Sequence, residues 1–99
     1  MSEDFKKIAQ NVLNEIFSLI EEDFENFEVD YEEENLKFED GSMIYIVSIH
    51  ELTSQIWLSS PKSGAHHFEM KKNKSRIFWV STRDDSIELF DLIKNELSN

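Results

Sequence analysis

The sequence predicts an α+β fold, a two-layer sandwich in which an antiparallel sheet carries an N-terminal and a C-terminal helix on one face. Three observations predict it. The apolar residues recur with a helical period at both ends of the chain and with a period of two in between. The period-two segments are joined by turns too short for a parallel crossover, so they are antiparallel neighbours. Each end segment carries a single apolar stripe, and one sheet face is the natural surface to bury both. The 99 residues make one domain, 1–99, long enough for one core.

The first helix is predicted over 3–22. Phe5, Ile8, Ala9, Val12, Leu13, Ile16 and Ile20 form its buried stripe, and Phe17, Leu19 and Phe24 widen it. Ser2 is placed to cap it, with Glu3 and Asp4 at the positive end of the dipole. Glu28, Asp30 and Glu32 then alternate with Val29 and Tyr31, the mark of a half-buried strand. Leu36 to Glu39 is the second strand. Asp40-Gly41 is a hairpin turn, because such turns need positive φ. Met43 to Ile49 is the third strand, and residues 50–53 connect it to the fourth, Gln55 to Ser59. The Pro61 to Gly64 loop ends that strand. Ala65 to Met70 is the fifth strand, Lys71-Lys72-Asn73-Lys74 a basic turn, and Arg76 to Val80 the sixth strand. Thr82-Arg83-Asp84-Asp85 has capping-box spacing with Asp in place of Glu or Gln, so the second helix is predicted to open at Thr82. Leu89, Phe90, Ile93 and Leu97 are its stripe.

One residue conflicts with its own strand. Ile56 and Leu58 share the helix-covered face, which puts Trp57 outward between Gln55 and Ser59. An outward tryptophan is covered either by a stretch of the chain or by a partner, and tryptophan is the side chain most enriched at binding hot spots.

Composition excludes several chemistries. The chain has no cysteine, so it has no disulfide framework, no thiolate zinc site, no cysteine nucleophile and no iron–sulfur cluster on its own thiolates. The longest apolar runs are far too short to span a bilayer, and MSEDFKK is not the start of a secretory signal, so the expected location is cytoplasmic. The net charge is −11, all of it from residues 1–40, where fourteen acids face three bases; residues 41–99 hold seven of each. That half repels nucleic acid and anionic membrane and attracts cations or a basic protein surface. It also keeps a small protein soluble and monomeric.

Glu28, Asp30 and Glu32 project from one face of a strand, and Glu22 lies seven residues beyond Glu15 on one side of the first helix. Carboxylate-only sites favour hard cations. A row of separate carboxylates is not a closed cage, so binding should be weak, multiple and poorly selective. The same charges guard an edge strand against aggregation. His66 and His67, adjacent in a strand, point to opposite faces and cannot share a metal; His67 shares parity with Glu69 and faces out on the Trp57 side. His50 falls in a connection, and all three read as surface or boundary histidines. No Ser-His-Asp spacing, P-loop or glycine-rich dinucleotide turn is present, and the lack of Glu-x-x-His pairs argues against a di-iron oxidase or store.

The run Gln55-Ile56-Trp57-Leu58-Ser59-Ser60-Pro61-Lys62-Ser63-Gly64 resembles the frataxin family, whose bacterial CyaY-type and mitochondrial branches share a sheet tryptophan at the position of Trp57. The acidic first helix and strand, Asp40-Gly41-Ser42, His67-Phe68-Glu69, Trp79 and Leu89-Phe90-Asp91-Leu92-Ile93 extend the resemblance over nearly the whole chain. The chain departs from the family at Phe17-Ser18, where an acidic pair is typical, and at Ser48-Ile49-His50, where Asn and Gln are common. The resemblance implies a frataxin-like sandwich that is not an enzyme. It implies an acidic ridge at Glu21, Glu22, Asp23, Glu25, Glu28, Asp30 and Glu32, joined by Glu15, that binds Fe²⁺ or Fe³⁺ weakly. It implies docking to the cysteine desulfurase and scaffold that build iron–sulfur clusters, with Gln55, Trp57, Ser59 and His67 on the docking face and a monomer that iron can oligomerise. His67 stands where mitochondrial frataxins have a basic residue, so a contact with an acidic partner would depend on pH. The alternative is an acidic protein-interaction module with incidental, non-selective cation binding.

Overall fold

The computed structural model describes residues 2–98, with side chains from Asp4 onward. The elements run α1 (Ser2–Asp23), β1 (Glu28–Tyr31), β2 (Asn35–Glu39), β3 (Ile44–His50), β4 (Gln55–Ser60), β5 (Gly64–Asn73), β6 (Arg76–Ser81) and α2 (Leu89–Ser98). The cap expected of Ser2, and the side chain of Glu3, lie outside the described side chains.

The six strands form one antiparallel meander in the order β1-β2-β3-β4-β5-β6. Register decides which residues share a face. Val29 lies opposite Phe38, Phe38 opposite Tyr45, Val47 opposite Leu58, Ile56 opposite Phe68, and Met70 opposite Trp79. These make the inner face, and the helices cover it with Phe5, Ala9, Val12, Leu13, Ile16 and Ile20 of α1 and with Leu89 and Ile93 of α2. Aromatic rings hold the two layers together. Phe5 meets Trp79 edge-on at 5.9 Å, and Phe38 stacks on Tyr45 at 4.9 Å with Phe27 edge-on to both. The Asp40-Gly41 turn forms as expected: Gly41 has φ +99°, and Asp40 Oδ1 accepts hydrogen bonds from the backbone N–H groups of Ser42 and Met43. Those N–H groups, Met43 first, hold the Asp40 carboxyl below its ordinary pKa.

Two expectations are corrected. The second helix starts at Leu89, seven residues after Thr82. Asp84 does not cap a helix; its Oδ1 accepts from the Ser86 backbone N–H and hydroxyl. Ser81 and Ile87 pair through their backbones, and Val80 bridges to Glu88, so residues 82–88 fold back on the end of β6. Short polar side chains that bond to nearby backbone compete with the helix in this way. The real cap is Glu88, whose Oε1 accepts from Asp91 N–H at 3.1 Å and whose carbonyl accepts from Leu92. The second correction is His50, which ends β3 rather than lying in a connection.

Candidate functional site

The sheet face away from the helices carries no covering layer of the described chain, and Trp57 lies on it. It is nevertheless only half-exposed, because histidines from the two neighbouring strands lie on its ring. His50 of β3 stacks at 3.6 Å between centroids with planes 19° apart, and His67 of β5 stacks at 4.0 Å and 7°. These strands flank β4, so the imidazoles occupy opposite faces of the indole. Trp57 Nε1 donates to Gln55 Oε1 at 2.8 Å, so the indole N–H is already satisfied. Ile44 and Ile46, 49% and 38% exposed, continue the apolar surface along β3 on the same face. Ser59 lies opposite Ile46 on one side and Ala65 on the other, and is exposed. The four docking residues expected from the sequence, Gln55, Trp57, Ser59 and His67, therefore share one face. His50 is the member that sequence reasoning missed; its parity with Ile44, Ile46 and Ser48 in an extended third strand was the available signal.

Two of the acidic residues, Glu28 and Asp30, reach that face from one edge. Glu28 and Asp30 project from edge strand β1, on the open side, with Val29 and Tyr31 turned to the helices. Asp30 lies opposite Lys37, which pairs at 3.2 Å with Glu39, and Glu28 lies opposite Glu39. Glu32 follows in the turn, Glu25 lies in the α1–β1 loop, and Glu21, Glu22 and Asp23 fill the last turn of α1; Glu15 lies apart from them, on the side of α1 that faces Phe90 and Lys94 of α2. All eight are exposed, and none is in a salt bridge among the described residues. The last turn of α1 has no basic residue, so three carboxylates sit at the negative end of the dipole, where cations are the stabilising charge. Among the described residues no three His, Asp or Glu side chains converge to hold a metal ion. The arrangement suits hard cations held loosely at several places and does not form a closed site.

A second polar cluster was not anticipated. Glu96 of α2 accepts from Tyr45 Oη at 3.1 Å and Ser60 Oγ at 2.5 Å on one oxygen, and from Ser63 Oγ at 2.5 Å on the other. Ser60 Oγ in turn accepts the backbone N–H groups of Lys62 and Ser63, and Lys62 Nζ donates to the Glu96 carbonyl at 2.6 Å. Ser63 has one hydroxyl proton and gives it to Glu96, so its 2.8 Å contact with His66 Nε2 makes that nitrogen the donor. Burial alone would raise the Glu96 pKa; the hydroxyls of Ser60, Ser63 and Tyr45 outweigh it and hold the carboxyl below its ordinary value. Burial, then Glu96, pushes the Tyr45 phenol up to about 12. The cluster ties the end of β4 and the turn over residues 61–63 to α2 and is structural. Its signal in the sequence was Ser60, which shares inward parity with Ile56 and Leu58, and a buried hydroxyl needs a partner.

A helix-covered meander with an open aromatic face and an acidic edge defines a two-layer α+β sandwich. The Frataxin-like domain model matches residues 1–99, and this chain belongs to that family. It is 31% identical over 103 residues to a protein of Arabidopsis thaliana named "Frataxin, mitochondrial". The match covers 98% of this chain and 54% of that relative, so the chain spans about half the length of the curated protein. No helix among the described residues is long and apolar enough to cross a membrane.

Proposed function

We propose that this protein binds iron weakly and regulates, or supplies iron to, iron–sulfur cluster assembly by docking on a cysteine desulfurase–scaffold complex in the cytoplasm. Membership of the frataxin family implies a role in iron handling and iron–sulfur cluster biogenesis, and supports the reading. The single observation that carries the docking is Trp57, presented on an uncovered sheet face beside exposed Ile44 and Ile46. The ridge carboxylates Glu15, Glu21, Glu22, Asp23, Glu25, Glu28, Asp30 and Glu32 are the cation contacts and face basic patches of the partner. No residue acts as a catalyst in this scheme. The test is calorimetry of the protein against the desulfurase–scaffold complex, with and without Fe²⁺. Trp57→Ala is expected to weaken association by about 2 kcal/mol or more, as hot-spot truncations do.

A second reading has its own support in the spread of the ridge carboxylates, which stand separately along α1, the α1–β1 loop and β1. There the protein is an acidic interaction module, and Ca²⁺, Mg²⁺ and Fe²⁺ bind alike with no effect on docking. Reversing Glu21, Glu22 and Asp23 to lysine separates the ridge from the rest of the molecule. The variant is expected to melt higher at low salt, by roughly 0.3–1 kcal/mol per charge through the α1 dipole, with the gain fading as salt is added. It should also bind less Fe²⁺. Iron binding unchanged by the reversal removes this end of α1 from the mechanism.

A further inference from the structure

The open face is graded in charge. It runs from Glu28 and Asp30 on β1, through Ile44, Ile46 and Trp57, to His67, Lys71 and Arg76 on β5 and β6. A partner that meets the acidic edge with basic groups must meet the β4–β5 end with something else. Both faces of the Trp57 ring are covered and its N–H is engaged, so a partner cannot stack on the indole or take its proton. What it meets is the edge of the half-exposed indole and, on either side of it, the two imidazoles with their outer faces and ring nitrogens. A protonated imidazole over an indole gains a cation–π interaction, and here the one indole serves two. We infer that His50 and His67 are the specificity-determining contacts of this face, that they receive carboxylates of the partner, and that docking tightens as they take up protons. This rests on the docking reading above and states the partner's chemistry at that site.

The surroundings carry both signs. Along β5, Glu69 follows His67 on the same face, opposite Gln55. On the β6 side, Thr82 N–H donates to the His67 carbonyl, and Arg83 and Asp84 line a pocket with His67. Lys71 pairs with Asp85 at 4.0 Å beyond them. Next to His50 lie Gln55 opposite and Glu51 in the following turn; in the β1–β2 turn Glu33 lines a groove with Gln10 and Asn14 of α1 and Glu34 pairs with Lys6, both on the helix side. Asp84 accepts from Ser86. Histidine is the side chain that ordinarily changes charge between pH 5 and 8.

Two readouts test the inference. The first needs no partner. An imidazolium quenches excited indole more than a neutral imidazole does, so Trp57 emission should fall as pH is lowered from about 8 to about 5. Trp57→Phe supplies the background from buried Trp79, and a His50→Gln, His67→Gln double variant should lose the titration. The second is calorimetry on the desulfurase–scaffold complex at about pH 6 and about pH 8. Wild-type affinity should rise about tenfold at the lower pH relative to the double variant, in which the partner's own titration is unchanged. His67→Arg, with a permanent charge, should bind tightly at both. Equal pH dependence in wild type and double variant overturns the inference while leaving docking intact, provided Trp57→Ala still weakens binding. No binding by any of these proteins at either pH overturns the docking reading and this inference together. A double variant that keeps the fluorescence titration removes the histidines from the stack as its cause.

Discussion

Trp79→Ala will lower the unfolding free energy by about 3–5 kcal/mol, while Trp57→Ala will cost the fold only about 1 kcal/mol. The two tryptophans of the chain sit on opposite faces of one sheet. Trp79 is 2% exposed and packs edge-on against Phe5 of α1, so its truncation leaves a cavity between sheet and helix that rigid neighbours cannot fill. For a domain of this size each kcal/mol is worth about 4–8 °C in Tm, so Trp79→Ala should melt at least about 12 °C lower. Trp57 loses two ring stacks and no core volume. Urea denaturation of both variants checks the contrast. A Trp57→Ala protein that unfolds as readily as Trp79→Ala would make the open face part of the core and end the docking argument.

The second large effect belongs to Glu96. Glu96→Ala is expected to destabilise the protein by roughly 2–4 kcal/mol, since hydrogen bonds to a charged group are worth about 1.5–3 each and the group's loss strands three hydroxyl donors at once. Tyr45 lies in the middle of the core and Ser60 is buried, so neither donor finds water easily. Glu96→Gln keeps the shape and loses the charge. The sign with pH follows from the lowered carboxyl pKa. Its stabilisation is fully present above the unfolded-state value and disappears as pH falls through the folded one. The stability gap between wild type and Glu96→Gln should therefore be constant near neutrality and close below about pH 4. A gap that persists at low pH would mean that packing of α2, and not the carboxylate, holds the loop. Because the loop follows directly on β4, its release should also loosen the end of the strand that carries Trp57 and weaken docking.

Most of the fold was legible because its signals are local. The stripe from Phe5 to Ile20 and the alternations around Val29, Tyr45 and Ile56 report which side of each element is apolar, and burial followed that pattern. Asp40-Gly41 needed only a residue free to take positive φ. The acids were legible as an exposed set for the same reason, since charge on a polar face stays in water. The second helix was misplaced because Thr82 to Asp85 has the composition of a cap but its side chains are satisfied within the turn and against β6, which no local pattern reveals.

The sequence by itself determined the order of the elements, the inward and outward sides of β1, β4 and β5, and a cysteine-free acidic chain whose one conflicting residue was an outward tryptophan. Tertiary structure decided what that tryptophan meets. Residues 50, 57 and 67 come together only through the register of three strands, and register is a pairing between distant segments rather than a property of any one of them. The same holds for Glu96, which meets Tyr45 and Ser60 only once α2 has packed across the sheet. Periodicity tells each side chain which way to face; only the assembled sheet sets its neighbours.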